Sequence, residues 1–409
     1  MELIIAPIGL SISFSIQFSK NVIGMNQIKK FSTYFLFLLF LAVSGGLYFY
    51  IINGRYFVTA FFALSFIAHI AKYNGISFKE NKLFFIAVII YQLINYALIN
   101  TQHIGNTFLP QLLLFISSYF FISLFSINEF KRYYLNSVTI MAITAIIIYL
   151  GYTFGSLNVA SIWDGTRDMD MCYYHRVIGK RLSGIYWEPG AMQIPLNMAL
   201  LLYIKEIVSW EIKRKDIWKF AIIVIAVIMT ISTAGILWLC LFMVYFAIYR
   251  LKSRRISVKA AILIFVLCSG AVAVYNSDMV QDKLQMRTES SASSMEIRAA
   301  DNRGLLVLIS ERPLWGWGID SKTRARRNEE LNNLTSSNGI LAMTSQLGIL
   351  FLLFWAYFLI KKMKQFYQGE MIIGAFLLFL FLNAFEVYWY FPVALVFHFI
   401  DCSETQIKN

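Results

Sequence analysis

The chain has 409 residues, 58% of them hydrophobic and 17% aromatic, with a mean hydropathy of +0.62 and a formal net charge of +13. A soluble core of this length has no room for so much apolar surface, which excludes an ordinary globular protein and points to immersion in a bilayer. The positive balance is accounted for by basic inner loops facing anionic lipid, so no nucleic-acid partner is expected.

In chain order, residues 3–18 form a first apolar stretch. It is either a thirteenth span or an interfacial helix; Pro7, Gly9 and several Ser make it a weak span and favour the interfacial helix, and no convincing small-residue cleavage site accompanies it. Apolar runs then recur at 33–52, 56–71, 83–99, 108–127, 135–154, 190–209, 217–233, 235–250, 258–275, 339–360, 371–386 and 389–401. Each approaches the roughly 17–25 residues that a spanning helix needs. Between them, cation clusters such as Lys72/Lys79/Lys82, Lys131/Arg132, Lys213/Arg214/Lys215 and Lys361/Lys362/Lys364 fall on every second connection. Positively charged loops stay in the cytoplasm, and both termini are expected there with them. The expected fold is all-α, one polytopic membrane domain over 1–409 with about 12 transmembrane helices (range 11–13). The four Cys are scattered and imply no structural disulfide.

Two connections are too long to be turns, 155–189 and 276–338, and the alternation places both on the outer face. The second carries nine acidic and nine basic side chains, seven of the latter being Arg. Exported loops near a membrane are usually poor in Lys and Arg. Retaining so many guanidinium groups there points to an anionic ligand, since their planar fork grips phosphate oxygens with two prongs.

The first constellation runs Arg181-Leu-Ser-Gly184-Ile-Tyr-Trp187-Glu188-Pro189-Gly190 and leads into an apolar run. The two glycines let backbone approach a ligand closely, and Pro189 suits a helix start. Arg181 is a phosphate-binding candidate and Glu188 a candidate proton acceptor. The plainer reading is a helix cap with an interfacial Trp and a snorkelling Arg. The second constellation is Arg298 and Arg303, on a segment with helical apolar spacing over 294–310, followed by Glu311-Arg312-Pro-Leu-Trp315-Gly-Trp317-Gly318. Five residues apart, the two arginines need not share a helix face. Trp315 and Trp317 are candidates to stack on sugar rings, with aromatic anchoring at the membrane interface as the competing account. The third is Arg324-x-Arg326-Arg327-Asn-Glu329-Glu330, followed by Ser336-Ser337-Asn338-Gly339. A mixed charge run is usually a solvated face, and Ser337 and Asn338 are competent helix N-caps. Asp168 and Asp170, with Asp164 nearby, form a weak metal-binding pattern, and no metal site is expected from it. His175 stands behind Glu188 as a possible general base. Glu386, beside Tyr388, Trp389 and Tyr390 at the outer edge of a span, is a candidate to face the same cavity. Thr230-Ile-Ser232-Thr-Ala-Gly235 reads as a tight turn between two spans.

Taken in order, these pieces resemble the O-antigen polymerase and ligase superfamily. The matching features are Arg181-Leu-Ser-Gly184…Glu188-Pro189-Gly190, the Thr-x-Ser-x-x-Gly turn at 230–235, and Arg298 ahead of Pro313-Leu-Trp-Gly316-x-Gly318. Ser337-Asn338-Gly339 then precedes Gln346-Leu-Gly348-Ile. The match covers about 181–350, while the first half agrees only in hydropathy. The resemblance implies an all-helical lipid-sugar glycosyltransferase fold of the GT-C-like kind in the bacterial inner membrane. It also implies a periplasmic active site, no cofactor, and undecaprenyl-pyrophosphate-linked oligosaccharide as both donor and acceptor. Polymerases move the growing glycan onto the non-reducing sugar of an incoming repeat unit, and ligases move finished glycan onto lipid A-core. Ligases carry a His just before the Asn that opens the late helix, whereas this chain has Ser337 there, which favours a polymerase. In this reading Arg181 and Arg298, with Arg303 and Arg312 behind them, bind the pyrophosphate. Glu188 or His175 takes the acceptor proton, and Trp187, Trp315, Trp317, Asn338 and Glu386 contact glycan. Membrane lipid surrounds the protein, and a chain-length regulator and a flippase are the protein partners this reading suggests.

Overall fold

In a computed structural model, the residues described are 31–46, 54–76, 78, 82–99, 108–155, 157–163, 168–173, 175–178, 181–252, 294–319 and 338–401. The stretch 3–18, the apolar run 258–275, the cluster Arg324–Glu330, and Asp164 and Ser337 lie outside them.

Apolar helices build the membrane domain. They are α1 (Phe31–Val43), α2 (Gly54–Tyr73), α3 (Lys82–Ile99), α4 (Leu109–Ile122), α5 (Ile127–Phe154), α6 (Pro189–Leu202), α7 (Ile204–Ser209) and α8 (Ile217–Met229). After them come α9 (Thr233–Lys252), α10 (Ser294–Glu311), α11 (Gly339–Phe366), α12 (Met371–Ala384) and the short α13 (Val396–Phe399). Among the described residues five helices, α2, α3, α5, α9 and α11, are long and apolar enough to cross a membrane. Leu353 and Ile373 on the outside of the bundle are 61% and 64% exposed, as expected where hydrocarbon is the neighbour. The chain is an all-α polytopic membrane protein.

Local chemistry explains several of the boundaries. Ser126 caps α5 in a reciprocal box, its backbone N–H donating to Glu129 Oε2 at 3.2 Å while the Glu129 N–H donates to Ser126 Oγ. α6 is buried on every face from Ala191 to Leu202, with Gln193 and Asn197 hydrogen-bonded to each other inside, so it forms the centre of the bundle rather than a lipid-facing wall. Phenylalanines fill the space between α1, α4 and α5. Phe40 stacks on Phe121 at 4.9 Å and meets Phe130 edge-on at 5.9 Å.

Three expectations are corrected. The run 190–209 is not one helix, because α6 ends at Tyr203 and α7 follows it directly. The run 389–401 is not a helical span. It holds a 3-10 turn at Pro392–Leu395 and then α13, and it is buried from Phe391 to Ile400. It nevertheless traverses the bundle. Glu386 packs on Gly339 at one end of α11, whereas the Ile400 carbonyl accepts from Lys362 Nζ at 3.2 Å near the other. Irregular backbone is tolerated at membrane depth when protein surrounds it on all sides. Finally, the connection 155–189 is not merely a loop. It folds into an antiparallel meander of β1 (Ala160–Trp163), β2 (Asp168–Cys172), β3 (His175–Ile178) and β4 (Arg181–Leu182), in that order.

α11 is broken at Gly348, whose φ of +83° and ψ of 169° interrupt its hydrogen-bond ladder. The residues after α10 fill the break. Trp317 N–H donates to the Ser345 carbonyl (2.8 Å), Gly318 N–H to Gln346 (2.9 Å), and Ile349 N–H to Pro313 (2.8 Å). Orphaned groups of a kinked helix are thus satisfied by a neighbouring loop, which ties α10 to α11.

The cation clusters gather at one end of the bundle. Lys72 donates to the Leu124 carbonyl beside Ser126, which bridges Asp401; Lys131 pairs with Glu206 at 2.5 Å; Lys362 reaches Ile400. Arg181, Trp187, Glu188, Arg298 and Glu386 gather at the opposite end.

Candidate active site

The segment 183–188 is held from several sides. Arg176 N–H donates to the Gly184 carbonyl at 2.9 Å, Ser183 Oγ donates to the Arg176 carbonyl at 2.8 Å, and the Arg176 guanidinium donates to the Trp187 carbonyl. Tyr186 pairs with Gly46 after α1, and its hydroxyl donates to the Leu41 carbonyl at 3.1 Å. Trp187 stacks on Tyr388 with ring centres 6.1 Å apart and planes 16° from parallel, forming an aromatic wall. This framework fixes Glu188 at the N-cap of α6 in an extended conformation, and its side chain makes no capping bond. The carboxylate is therefore left for the site, where the positive end of the helix dipole favours its charge.

Around Glu188 the structure collects groups from five further segments. Gly190, in the first turn of α6, has no side chain because there is no room for one: a Cβ there would lie 2.9 Å from Glu386 Oε1 and 3.7 Å from Glu188 Oε1. The two carboxyl groups thus converge over the first turn of α6. Arg298 of α10 places Nη2 4.0 Å from Glu386 Oε1. Arg181 at the start of β4 donates from Nε to the Thr230 carbonyl at 3.4 Å and also feels the charge of Glu188. Gly339, opening α11, packs on the backbone of Glu386 and Asn383. Burial pushes the Glu386 carboxyl well above the usual carboxylate range; the Glu188 charge adds to this and Arg298 opposes it. Burial lowers the Arg181 guanidinium, opposed by Glu188, though a guanidinium remains a cation. The Arg298 side chain is 39% exposed while that of Glu386 is 13% exposed, so the arginine stands at the mouth and the acid behind it.

Arg181, Trp187, Glu188, Arg298 and Glu386 are thus brought together. The other candidates stand apart. Arg303 is exposed and donates to the Ala299 carbonyl of its own helix at 3.3 Å. Arg312 lies over the Trp317 ring at 4.2 Å; Trp317 itself is buried, its indole N–H donating to the Leu308 carbonyl at 2.9 Å. Trp315 stacks on Tyr91 at 5.6 Å and lines, with Asn95 and Arg312, an apolar cavity of about 370 Å³ beside α3. Asn338 acts as the N-cap of α11, Oδ1 accepting from Leu341 N–H at 3.1 Å. His175 is buried in β3, and among the described residues neither ring nitrogen has a hydrogen-bond partner. Asp168 and Asp170 lie exposed on β2, and among the described residues no three His, Cys, Asp or Glu are grouped to hold a metal ion.

Two contributors escaped the sequence reading. Thr230 read as part of a plain turn, yet its carbonyl anchors Arg181. Arg176 was passed over although it clamps the Trp187 carbonyl next to Glu188. Its signal was only a cation just upstream of the motif.

What the arrangement can do is specific. Two guanidinium groups flank a carboxyl pair partly withdrawn from solvent, so an anion held by the arginines would lie next to a carboxylate able to take a proton. A protein-family model described as O-antigen ligase matches residues 218–356, roughly a third of the chain. That stretch includes the Thr230 turn, Arg298 and Asn338, and it stops short of Arg181 and Glu188 on one side and of Glu386 on the other. No match was found among curated proteins.

Proposed function

We propose that the chain is a metal-independent glycosyltransferase of the O-antigen polymerase and ligase superfamily. Its site faces the periplasm from the bacterial inner membrane, and it uses undecaprenyl-pyrophosphate-linked glycan as donor. The observation that carries this reading is the meeting of Arg298, from the family-matched stretch, with Arg181, Glu188 and Glu386, from outside it, at the end of the bundle opposite the lysines. Their placement suits a lipid-borne diphosphate. The acceptor hydroxyl attacks the anomeric carbon, the bond from that carbon to the diphosphate oxygen breaks, and its electron pair leaves with the diphosphate. Arg181 and Arg298 stabilise the charge that accumulates there, and Glu188 accepts the hydroxyl proton. The Trp187–Tyr388 wall offers a face for a sugar ring.

Between the two reactions of the superfamily we favour polymerisation, because Ser337 stands where ligases carry a His. The acceptor is then the non-reducing sugar of another carrier-linked repeat unit, with a flippase supplying that unit and a chain-length regulator as neighbour. A deletion strain tests this directly. Surface glycan reduced to a single repeat unit is the expected phenotype; accumulation of full-length carrier-linked polymer would make the protein a ligase and overturn the assignment.

A further inference from the structure

Resting on the transferase reading, we propose that Glu386 is the proton-bearing partner of Glu188, a positioning residue whose carboxylic acid donates a hydrogen bond to the Glu188 carboxylate and aims it at the acceptor hydroxyl.

Three observations carry it. The two carboxyl groups converge over Gly190, where the Oε1 atoms of Glu386 and Glu188 lie 2.9 and 3.7 Å from the space a Cβ would fill. A bond between two carboxyl groups requires that one of them keep its proton. Second, Glu386 is the more enclosed end of the Arg298 contact, 13% against 39% exposed, and 4.0 Å is the outer limit of an ion pair. Third, among the described residues the charged groups around the pair are few. Glu188 faces Glu386 from the start of α6, Arg298 from α10, and Arg181 acts on the pair through Glu188; α11 presents Gly339. Once a diphosphate takes up both guanidiniums, two adjacent carboxylates would be left without countercharge from the described residues, and like charges that close do not both ionise. Burial of Glu386 acts in the same direction.

The proton balance closes. Glu386 keeps its proton throughout. The hydroxyl proton moves to the free oxygen of Glu188 as the new glycosidic bond forms and the bond to the diphosphate breaks. Loss of that proton to water resets the pair.

The test compares the purified full-length protein with Glu386→Gln, Glu386→Ala and Glu188→Gln, using carrier-linked repeat units and infrared spectroscopy. An amide still donates a hydrogen bond but cannot ionise. Glu386→Gln is therefore expected within about tenfold of the wild-type rate, while Glu386→Ala and Glu188→Gln fall by about a hundredfold or more. Wild-type activity should decline on the alkaline side as Glu386 ionises, and that limb should vanish in Glu386→Gln. At neutral pH the wild type should show the C=O stretch of a protonated carboxylic acid, absent from Glu386→Gln. A Gln variant as inactive as the Ala variant, an unchanged alkaline limb, or no such band in the wild type would each overturn the pairing and leave the transferase reading intact. A wild type that shows the band yet transfers no glycan would overturn the transferase reading and leave the pairing standing.

Discussion

Arg298 Nη2 stands 4.0 Å from Glu386 Oε1, and this contact brings the exposed helix α10 to the buried segment that follows α12. The two residues lie far apart in sequence, so the contact exists only once the bundle has closed.

If the two arginines stabilise a departing diphosphate, Arg181→Ala and Arg298→Ala should each lower transfer by about 10²–10³-fold, ~3–4 kcal/mol of barrier, without loss of membrane insertion. Glycan ladders on gels, read beside membrane-fraction immunoblots, provide the check. Ladders of normal length in either variant remove that arginine from the site.

Gly190→Ala should fold but work poorly. Its Cβ would sit 2.9 Å from Glu386 Oε1, a flexible side-chain end that can swing aside. The expected result is a thermal midpoint close to wild type with transfer reduced by about tenfold or more, since small misplacements at a reacting centre are costly. Unaltered kinetics would mean that the Glu386 position does not matter.

Gly348→Ala, in contrast, should destabilise the protein itself. The residue has φ of +83°, and a Cβ would lie 2.0 Å from the Leu314 carbonyl oxygen, which is backbone and cannot yield cheaply. Strain of this kind costs about 1–3 kcal/mol before the clash is counted. Scanning fluorimetry in detergent should show a clear fall in the midpoint, and an unchanged midpoint would contradict the tie between α10 and α11.

Much of this was written in the sequence, and what was not has identifiable causes. Helices such as α2, α3 and α5 follow from long apolar runs with few charges, which leave the backbone no alternative in hydrocarbon. The motif Arg181–Gly190 was legible because its glycines, proline and charges cluster locally. Hydropathy misled at 389–401, since a segment wrapped in protein is as apolar as one wrapped in lipid, and Pro392 was the one warning against a helix. The sheet at 160–182 left a trace in Asp168-Met-Asp-Met, whose alternation buries Met169 and Met171 and exposes the acids. The sequence offered Glu386 only as a candidate to face the same cavity; its approach to Glu188 was not legible, because it depends on how α6 and the segment after α12 pack.

His175 gives a pH signature in the sheet at 160–182. Burial lowers it from 6.5 to about 4. Between those values the unfolded chain binds more protons than the folded one, so this contribution is full above about pH 6.5 and is lost as pH falls towards about 4. Thermal midpoints of the wild type should therefore fall more steeply on acidification across that window than those of His175→Leu. Parallel curves would show that the imidazole does not titrate as placed.

The most direct measurement is the reaction itself. The purified protein, given one defined undecaprenyl-pyrophosphate-linked repeat unit and no other acceptor, should release undecaprenyl pyrophosphate and build a ladder of longer carrier-linked glycans, and Glu188→Gln should not. No lengthening by the wild type, or equal lengthening by Glu188→Gln, would contradict the account.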